Sequence, residues 1–352
     1  VPEGPAATRL TAARVAGRRR LLLAAAVATA GVVGTLVYAV VWFLGAIGGR
    51  PGPATVVTIP QGASAGTVAS TLARDGVVDS RVAFEVYLFL HGTPTIGPGS
   101  YLLHRHQALG AVLARLSAGP DVYPVTVQVG TTVDELARQV GEDVPRWSAA
   151  QFLSVATSGM VRSPWQPAGS TNLDGLLAPG TYLVVPGEQP AALLQAMVDR
   201  FDVEADRLDL AQAAARQGVT PYQAVIVASI VEKEGYIPKN FGGVARVIYN
   251  RLALGMPLQM DSTVLYALHQ DGGPVTPADE RVPSPYNTYL HRGLTPTPIC
   301  FPSTLALEAA LDPPAGRWLY FELVDRNGTM AFETTYQQHL ADIALARRKG
   351  LP

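Results

Sequence analysis

Residues 220–235 read TPYQAVIVASIVEKEG, an apolar run that ends in two glutamates separated by one lysine. Thr220, Pro221 and Gln223 predict a helix start. The threonine supplies a hydroxyl cap, the proline occupies the first helical position, and the glutamine three residues after the cap closes a capping box. Gly235 predicts the stop. At about 100° per residue, Gln223, Val227, Ile230, Val231 and Glu234 share one face, while Glu232 falls opposite with Val225. Glu234 therefore continues the stripe that a folded core would bury. Its charged form is disfavoured twice, by desolvation and by the negative end of the helix dipole. A carboxyl so placed suits general-acid chemistry. The plainer alternative is a solvated glutamate in a last helical turn.

Around this helix the chain has 352 residues, 48% of them hydrophobic, enough for two domains with cores of their own. Charged residues make up only 16%, with Lys plus Arg (27) nearly balancing Asp plus Glu (28). Such a balance offers no basic surface for nucleic acid. Cys300 is the only cysteine, so an internal disulfide is excluded, and no Cys or His cluster stands at zinc-ligand spacing.

Residues 21–44, LLLAAAVATAGVVGTLVYAVVWFL, carry no charge. As a helix they would run about 36 Å, enough to cross a hydrocarbon core. A cleaved signal peptide would need an apolar region of only about 7–15 residues, so a retained anchor is preferred. Arg9, Arg14, Arg18, Arg19 and Arg20 precede the run and only Arg50 follows it closely. The positive-inside rule then puts 1–20 in the cytoplasm and everything after Arg50 outside. A twin-arginine export signal is the rival reading of Arg18, Arg19 and Arg20.

GGRPGP (48–53) reads as a flexible, then stiff, connector. Beyond it, 56–60 predicts a short strand and 62–78 a short helix, with Ser64 as its cap. The pattern recurs at 124–141, where Thr131 or Thr132 is the cap and Val133, Leu136, Ala137 and Val140 share a face. Residues 99–119 predict another strand and helix. The breaker-rich stretch 164–171 places a domain boundary loosely within 143–172. Past it, 173–187 predicts a strand bordered by turns, 190–207 a helix, and 317–324 and 329–335 late strands. The fold class expected is mixed α+β.

Four motifs, ASIVEKEG (228–235), ARVIYNRLALGMPLQMDSTVLYAL (245–268), PYNTYLHRGLTPTPIC (285–300) and YFELV (320–324), occur in order over more than a hundred residues. Together they closely resemble the MltG, or YceG-like, family of endolytic murein transglycosylases. The resemblance is strong from Thr220 onward and weaker before Leu173. It implies an N-terminal cytoplasmic tail (1–20), a transmembrane helix (21–44), a linker (45–55), a small LysM-like β/α region (56–143), a connecting segment (144–172) and a YceG-like catalytic domain (173–352). It implies Glu234 as the catalytic residue, in agreement with the helical-face reading. It further implies Asn250, Gln259, Asp261, Asn287 and Tyr289 as groups that hold the substrate, with no metal and no cofactor. Structural roles compete for several of these motif residues: a salt bridge for Arg251, a helix cap for Asp261, a core position for Tyr286. The chain departs from the family pattern in GLTP (293–296), FPS (301–303), APGTY (178–182) and the VTVQVG run, which lacks the usual glutamate. These departures bear on groove shape and leave Glu234 in place.

The activity implied is cleavage of the β-1,4 bond between N-acetylmuramic acid and N-acetylglucosamine in peptidoglycan strands. It leaves 1,6-anhydro ends and terminates the elongation of nascent strands. The enzyme would be a single-pass membrane protein with its catalytic domain outside, beside penicillin-binding proteins and other elongation synthases. Two rivals stay open: a muramidase using Asp261 as a second carboxylate over a water, and a membrane-tethered peptidoglycan-binding scaffold without activity.

Overall fold

The computed structural model describes residues 5–351, with side chains from Leu22 onward. The chain divides into two compact units, Val1–Val122 and Tyr123–Pro352.

The first unit begins with helix α1 (Pro5–Ile47). Its portion Leu22–Ile47 is long and apolar enough to cross a membrane, and its apolar 18-residue stretch is not buried by protein, while Phe43, Ala46 and Ile47 at its end are partly buried. The five arginines before the span, on which the orientation rests, have side chains outside the described set. Strand β1 (Ala54–Ile59) pairs antiparallel with β2 (Gly99–His104), Ala54 opposite His104. Between them run α2 (Ala65–Arg74) and α3 (Arg81–His91), and α4 (Leu109–Ser117) follows. Ser64 caps α2 as expected, its hydroxyl accepting the Thr67 N–H at 3.2 Å. Val57, Leu72, Phe84, Leu88 and Leu103 form the core.

The connector 48–53 differs from its expected flexibility. A Cβ on Gly49 would stand 2.4 Å from the His106 carbonyl oxygen, so that backbone approaches too closely for any side chain. The Gly52 N–H donates to the Arg105 carbonyl at 2.7 Å, and the Arg105 N–H returns a bond to the Pro53 carbonyl at 3.0 Å. Composition suggested looseness, but here the small residues permit contact.

The second unit opens with β3 (Tyr123–Val127), then α5 (Val133–Asp143) and α6 (Ala149–Thr157), and returns to β3 through antiparallel β4 (Gly180–Val184). This strand, helix, helix, strand order repeats that of the first unit. β3 and β4 thus pair across 143–172, and the compact units separate at Val122. Thr132 caps α5 with a complete capping box. A hydrophobic cluster that includes Val125, Leu136, Phe152, Leu194 and Met197 lies between this sheet, α5, α6 and α7 (Pro190–Arg207).

After α8 (Leu210–Arg216) comes α9 (Pro221–Glu234), the helix of the EKE motif. Around it pack α10 (Pro238–Ala253), α11 (Asp261–Ala267) and α12 (Thr304–Leu311). The hairpin of β5 (Tyr320–Leu323) and β6 (Met330–Glu333) and helix α13 (Tyr336–Arg348) complete the unit. The Thr220 capping box forms as expected. The one-sided stripe does not, because Tyr222 and every residue from Ala224 to Val231 are buried. α9 is the central strut of its cluster, enclosed all round, which is how a helix lacking a polar face is accommodated.

Candidate active site

Burial of α9 on every side brings its C-terminal turn out of the core at one place, and Glu234 stands there. The helix ends at Gly235 in ordinary right-handed geometry (φ −74°), and the next residue, Tyr236, takes the left-handed turn (φ 56°). Glycine is needed at 235 for space: a Cβ would lie 2.3 Å from the Phe241 ring.

Glu234 lines a cavity of about 360 Å³ whose wall includes Asp134, Glu135 and Arg138 of α5, Tyr236, Asp261, Ser262 and Tyr266. Residues His269, Gln270, Asp271, Gly272 and Gly273 form its rim. The Ser262 N–H donates to Glu234 Oε1 at 3.0 Å. Burial pushes the Glu234 carboxyl above the usual range, the negative charge of Asp261 adds to this, and the hydrogen bonds from Ser262 partly oppose it. The residue keeps intermediate surface exposure, with its polar end desolvated among the pocket groups.

The two other charged residues of the motif have partners of their own. Glu232 Oε2 accepts the Ser303 N–H at 2.8 Å and so fixes the start of α12. Lys233 Nζ donates to the Gly130 carbonyl at 3.1 Å and to Asp271 at 2.8 Å, which ties the rim loop down.

The remaining sequence candidates separate. Asp261 lines the cavity as the first residue of α11 and accepts the Tyr289 hydroxyl at 2.5 Å. Tyr289 thereby reaches the site through Asp261, and burial together with that bond raises its phenol pKa. Gln259 is exposed, with left-handed backbone (φ 51°), and its N–H donates to the Thr288 carbonyl at 3.1 Å. The Asn250 amide donates to the Gly316 and Trp318 carbonyls at 3.2 and 2.8 Å. The fully buried Asn287 donates to the Glu280 and Val282 carbonyls, both at 2.9 Å, and accepts the Tyr289 N–H at 3.0 Å. Both asparagines spend their amides on scaffold backbone. Among the described residues Arg251 makes no carboxylate pair. It is buried, donates to the Leu319 and Leu258 carbonyls at 2.7 and 2.5 Å, and covers the Tyr320 ring. Tyr286 packs half-buried against the core, its hydroxyl 2.8 Å from that of Thr297. Cys300 is a free, buried thiol.

Sequence reading missed Tyr236, Ser262, Tyr266 and the α5 wall. Asp271 followed by Gly272 and Gly273 carried a turn signal that could have marked the rim. Nothing local could have brought Asp134 and Glu135 to a glutamate a hundred residues later.

A mixed α+β fold that sets a desolvated carboxyl among hydrogen-bonding groups in a cavity has the arrangement suited to acid–base chemistry. Comparison with known proteins gives the family: the YceG-like family model matches residues 57–345, and the chain belongs to that family. A Bacillus subtilis protein named endolytic murein transglycosylase is 30% identical over 301 residues, covering 80% of this chain and 82% of its own. A Streptococcus pneumoniae protein of the same name is 26% identical over 320 residues. That match takes in 82% of this chain but 57% of the relative's length. The crystal structure of a YceG-like protein from Listeria monocytogenes superposes with a TM-score of 0.59 at 26% identity, over 82% of this chain and 98% of that one.

Proposed function

We propose that the chain is a membrane-anchored lytic murein transglycosylase that cleaves glycan strands of peptidoglycan internally. The observation that carries this reading is Glu234, a carboxyl held at a raised pKa at the wall of a cavity, in a chain whose relatives bear that name. Protonated Glu234 gives its proton to the glycosidic oxygen as the bond from that oxygen to the muramyl C1 breaks. The resulting carboxylate takes the proton of the muramyl C6 hydroxyl while its oxygen bonds to C1. A 1,6-anhydro ring closes, Glu234 is protonated again, and no water is consumed. A hydrolase would place a second carboxyl about 5–9.5 Å away to serve a water or a covalent intermediate. Glu232, bound to the start of α12, is not free for that work.

Asp261 and Tyr289 are the substrate-facing pair in this reading, and Gln259 is exposed and free to meet a sugar. Asn250 and Asn287 shape the groove through the backbone they hold. The strand, helix, helix, strand order of the first unit supports a LysM-like, glycan-binding role for it. The apolar Leu22–Ile47 helix supports anchoring, with the arginine-rich end in the cytoplasm and the site outside. Work on nascent strands beside penicillin-binding proteins and other elongation synthases follows from the family resemblance.

Mass spectrometry of products from lipid-linked glycan, using the full chain in detergent, tests the proposal. The expected products carry 1,6-anhydro ends, and Glu234→Gln lowers their rate by at least about 100-fold. Reducing muramyl ends would make the protein a hydrolase, with Asp261 the candidate partner. An unimpaired Glu234→Gln variant would remove the assigned residue.

A further inference from the structure

Helix α3, RVAFEVYLFLH, is apolar on two sides. Ala83, Phe84 and Leu88 face the core of the first unit. On the opposite side Val82, Val86, Phe89 and Leu90 are 57%, 39%, 87% and 61% exposed. At helical spacing these four fall within an arc of about 100°, a continuous stripe rather than scattered surface residues. The charged residues Arg81 and Glu85 bond to each other at 2.8 Å, and Glu85 borders the stripe one turn before Phe89.

The stripe's location says what covers it. α3 touches α1, and Phe43, Ala46 and Ile47 of the last α1 turns pack against the core to which α3 contributes. Trp42 lies one residue earlier, the type of side chain that settles at the boundary between hydrocarbon and headgroups. The connector cannot let the unit swing away, because Gly49 is wedged against 106–108 and Gly52 and Pro53 are bonded to Arg105. A folded unit clamped to the end of a span has its nearest elements at headgroup level.

We propose that the exposed face of α3 is a lipid-binding surface that lies in the interface of the bilayer crossed by α1. The occupant is the lipid itself. Partly buried apolar side chains in the acyl boundary are the ordinary means by which an interfacial helix holds to a membrane. The unit would thus sit with a fixed side against the membrane, rather than hang from a tether. This inference rests on the anchor reading of α1, and its test separates the two.

The experiment places a nitroxide label at Val33→Cys, Val86→Cys or Phe89→Cys of the full chain, in vesicles of phosphatidylethanolamine and phosphatidylglycerol. Cys300 is buried and leaves the introduced thiol as the reactive one. Collisions with oxygen, which concentrates in lipid, are compared with those of a water-soluble nickel chelate. The expected result is oxygen exceeding chelate at 86 and 89, as at 33 within the span, by a smaller ratio at the shallower sites. Chelate exceeding oxygen at 86 and 89, with 33 in lipid, would place the face in water and overturn the proposal while sparing the anchor. Exclusion of both reagents at 86 and 89 would mean cover by a second copy of the chain and would overturn it equally. A label at 33 open to chelate would overturn the anchor reading and this inference with it.

Discussion

In the proposed reaction Glu234 must hold a proton until the leaving oxygen needs it, so activity is expected below its pKa. Burial and the Asp261 charge both raise that pKa. The alkaline limb of the kcat/KM profile should report it, and Asp261→Asn should move that limb to lower pH by removing a like charge. A profile unchanged by Asp261→Asn would mean that the two carboxyls do not interact. The same raised pKa costs stability. The folded state binds the proton more tightly than the unfolded chain, so the contribution is full below the unfolded pKa and is lost as pH rises through the folded one. Glu234→Gln has nothing to titrate, so its melting temperature should gain on the native chain as pH climbs through that window, while activity is lost. Gly235 makes a steric prediction beside it. Gly235→Ala would press a Cβ toward Phe241, with an expected cost of about 1–3 kcal/mol in urea melts and a fall in kcat as Glu234 shifts.

At the scale of elements, much was legible because it is written within four residues. The capping box at Thr220 and the cap at Ser64 satisfy helix N–H groups with neighbours in sequence and formed as read, while the cap left open between Thr131 and Thr132 falls on Thr132. What α9 packs against was not legible, since an apolar helix looks similar whether one side or all sides are buried, and only distant α10, α11 and α12 decide. Motif residues are ambiguous for a related reason. A polar side chain in a motif can face a ligand or hold backbone, and the carbonyls that Asn250 and Asn287 bind announce nothing in the sequence. Arg251 is another of these backbone holders, joining α10 to the residue before β5 and to the turn before α11. Arg251→Ala leaves buried carbonyls without donors, and the expected loss is about 3 kcal/mol in denaturant unfolding. Arg251→Lys should recover only part of it, because an ammonium cannot span both carbonyls with a planar fork. Full recovery with lysine would reduce the residue to a simple charge.

The whole molecule turns on where the catalytic unit begins. Residues 173–178 thread between its two hydrophobic clusters: Leu173 and Leu177 belong to the one shared with β3 and α5, Leu176 and Ala178 to the one around α9. Between them Asp174 is buried, accepting the Val133 N–H at 2.8 Å and the Tyr266 hydroxyl at 2.7 Å. One carboxyl thus joins the start of α5 to the wall of the cavity. A chain cut at 173, the beginning expected from sequence, would lack Val125, Leu136, Val140 and Phe152, leaving Leu193, Leu194, Met197 and Val198 facing water and β4 without a partner strand. It would also lose Asp134, Glu135 and Arg138 from the pocket. Cut at 123, the chain keeps both clusters. The expected outcome is a single cooperative melt and 1,6-anhydro products for 123–352, and for 173–352 a loosely packed chain that binds a hydrophobic dye and does not cleave glycan. Cooperative melting with activity in 173–352 would show that the cluster under β3 and β4 is dispensable, and that the two cores are coupled far more weakly than their shared segment implies.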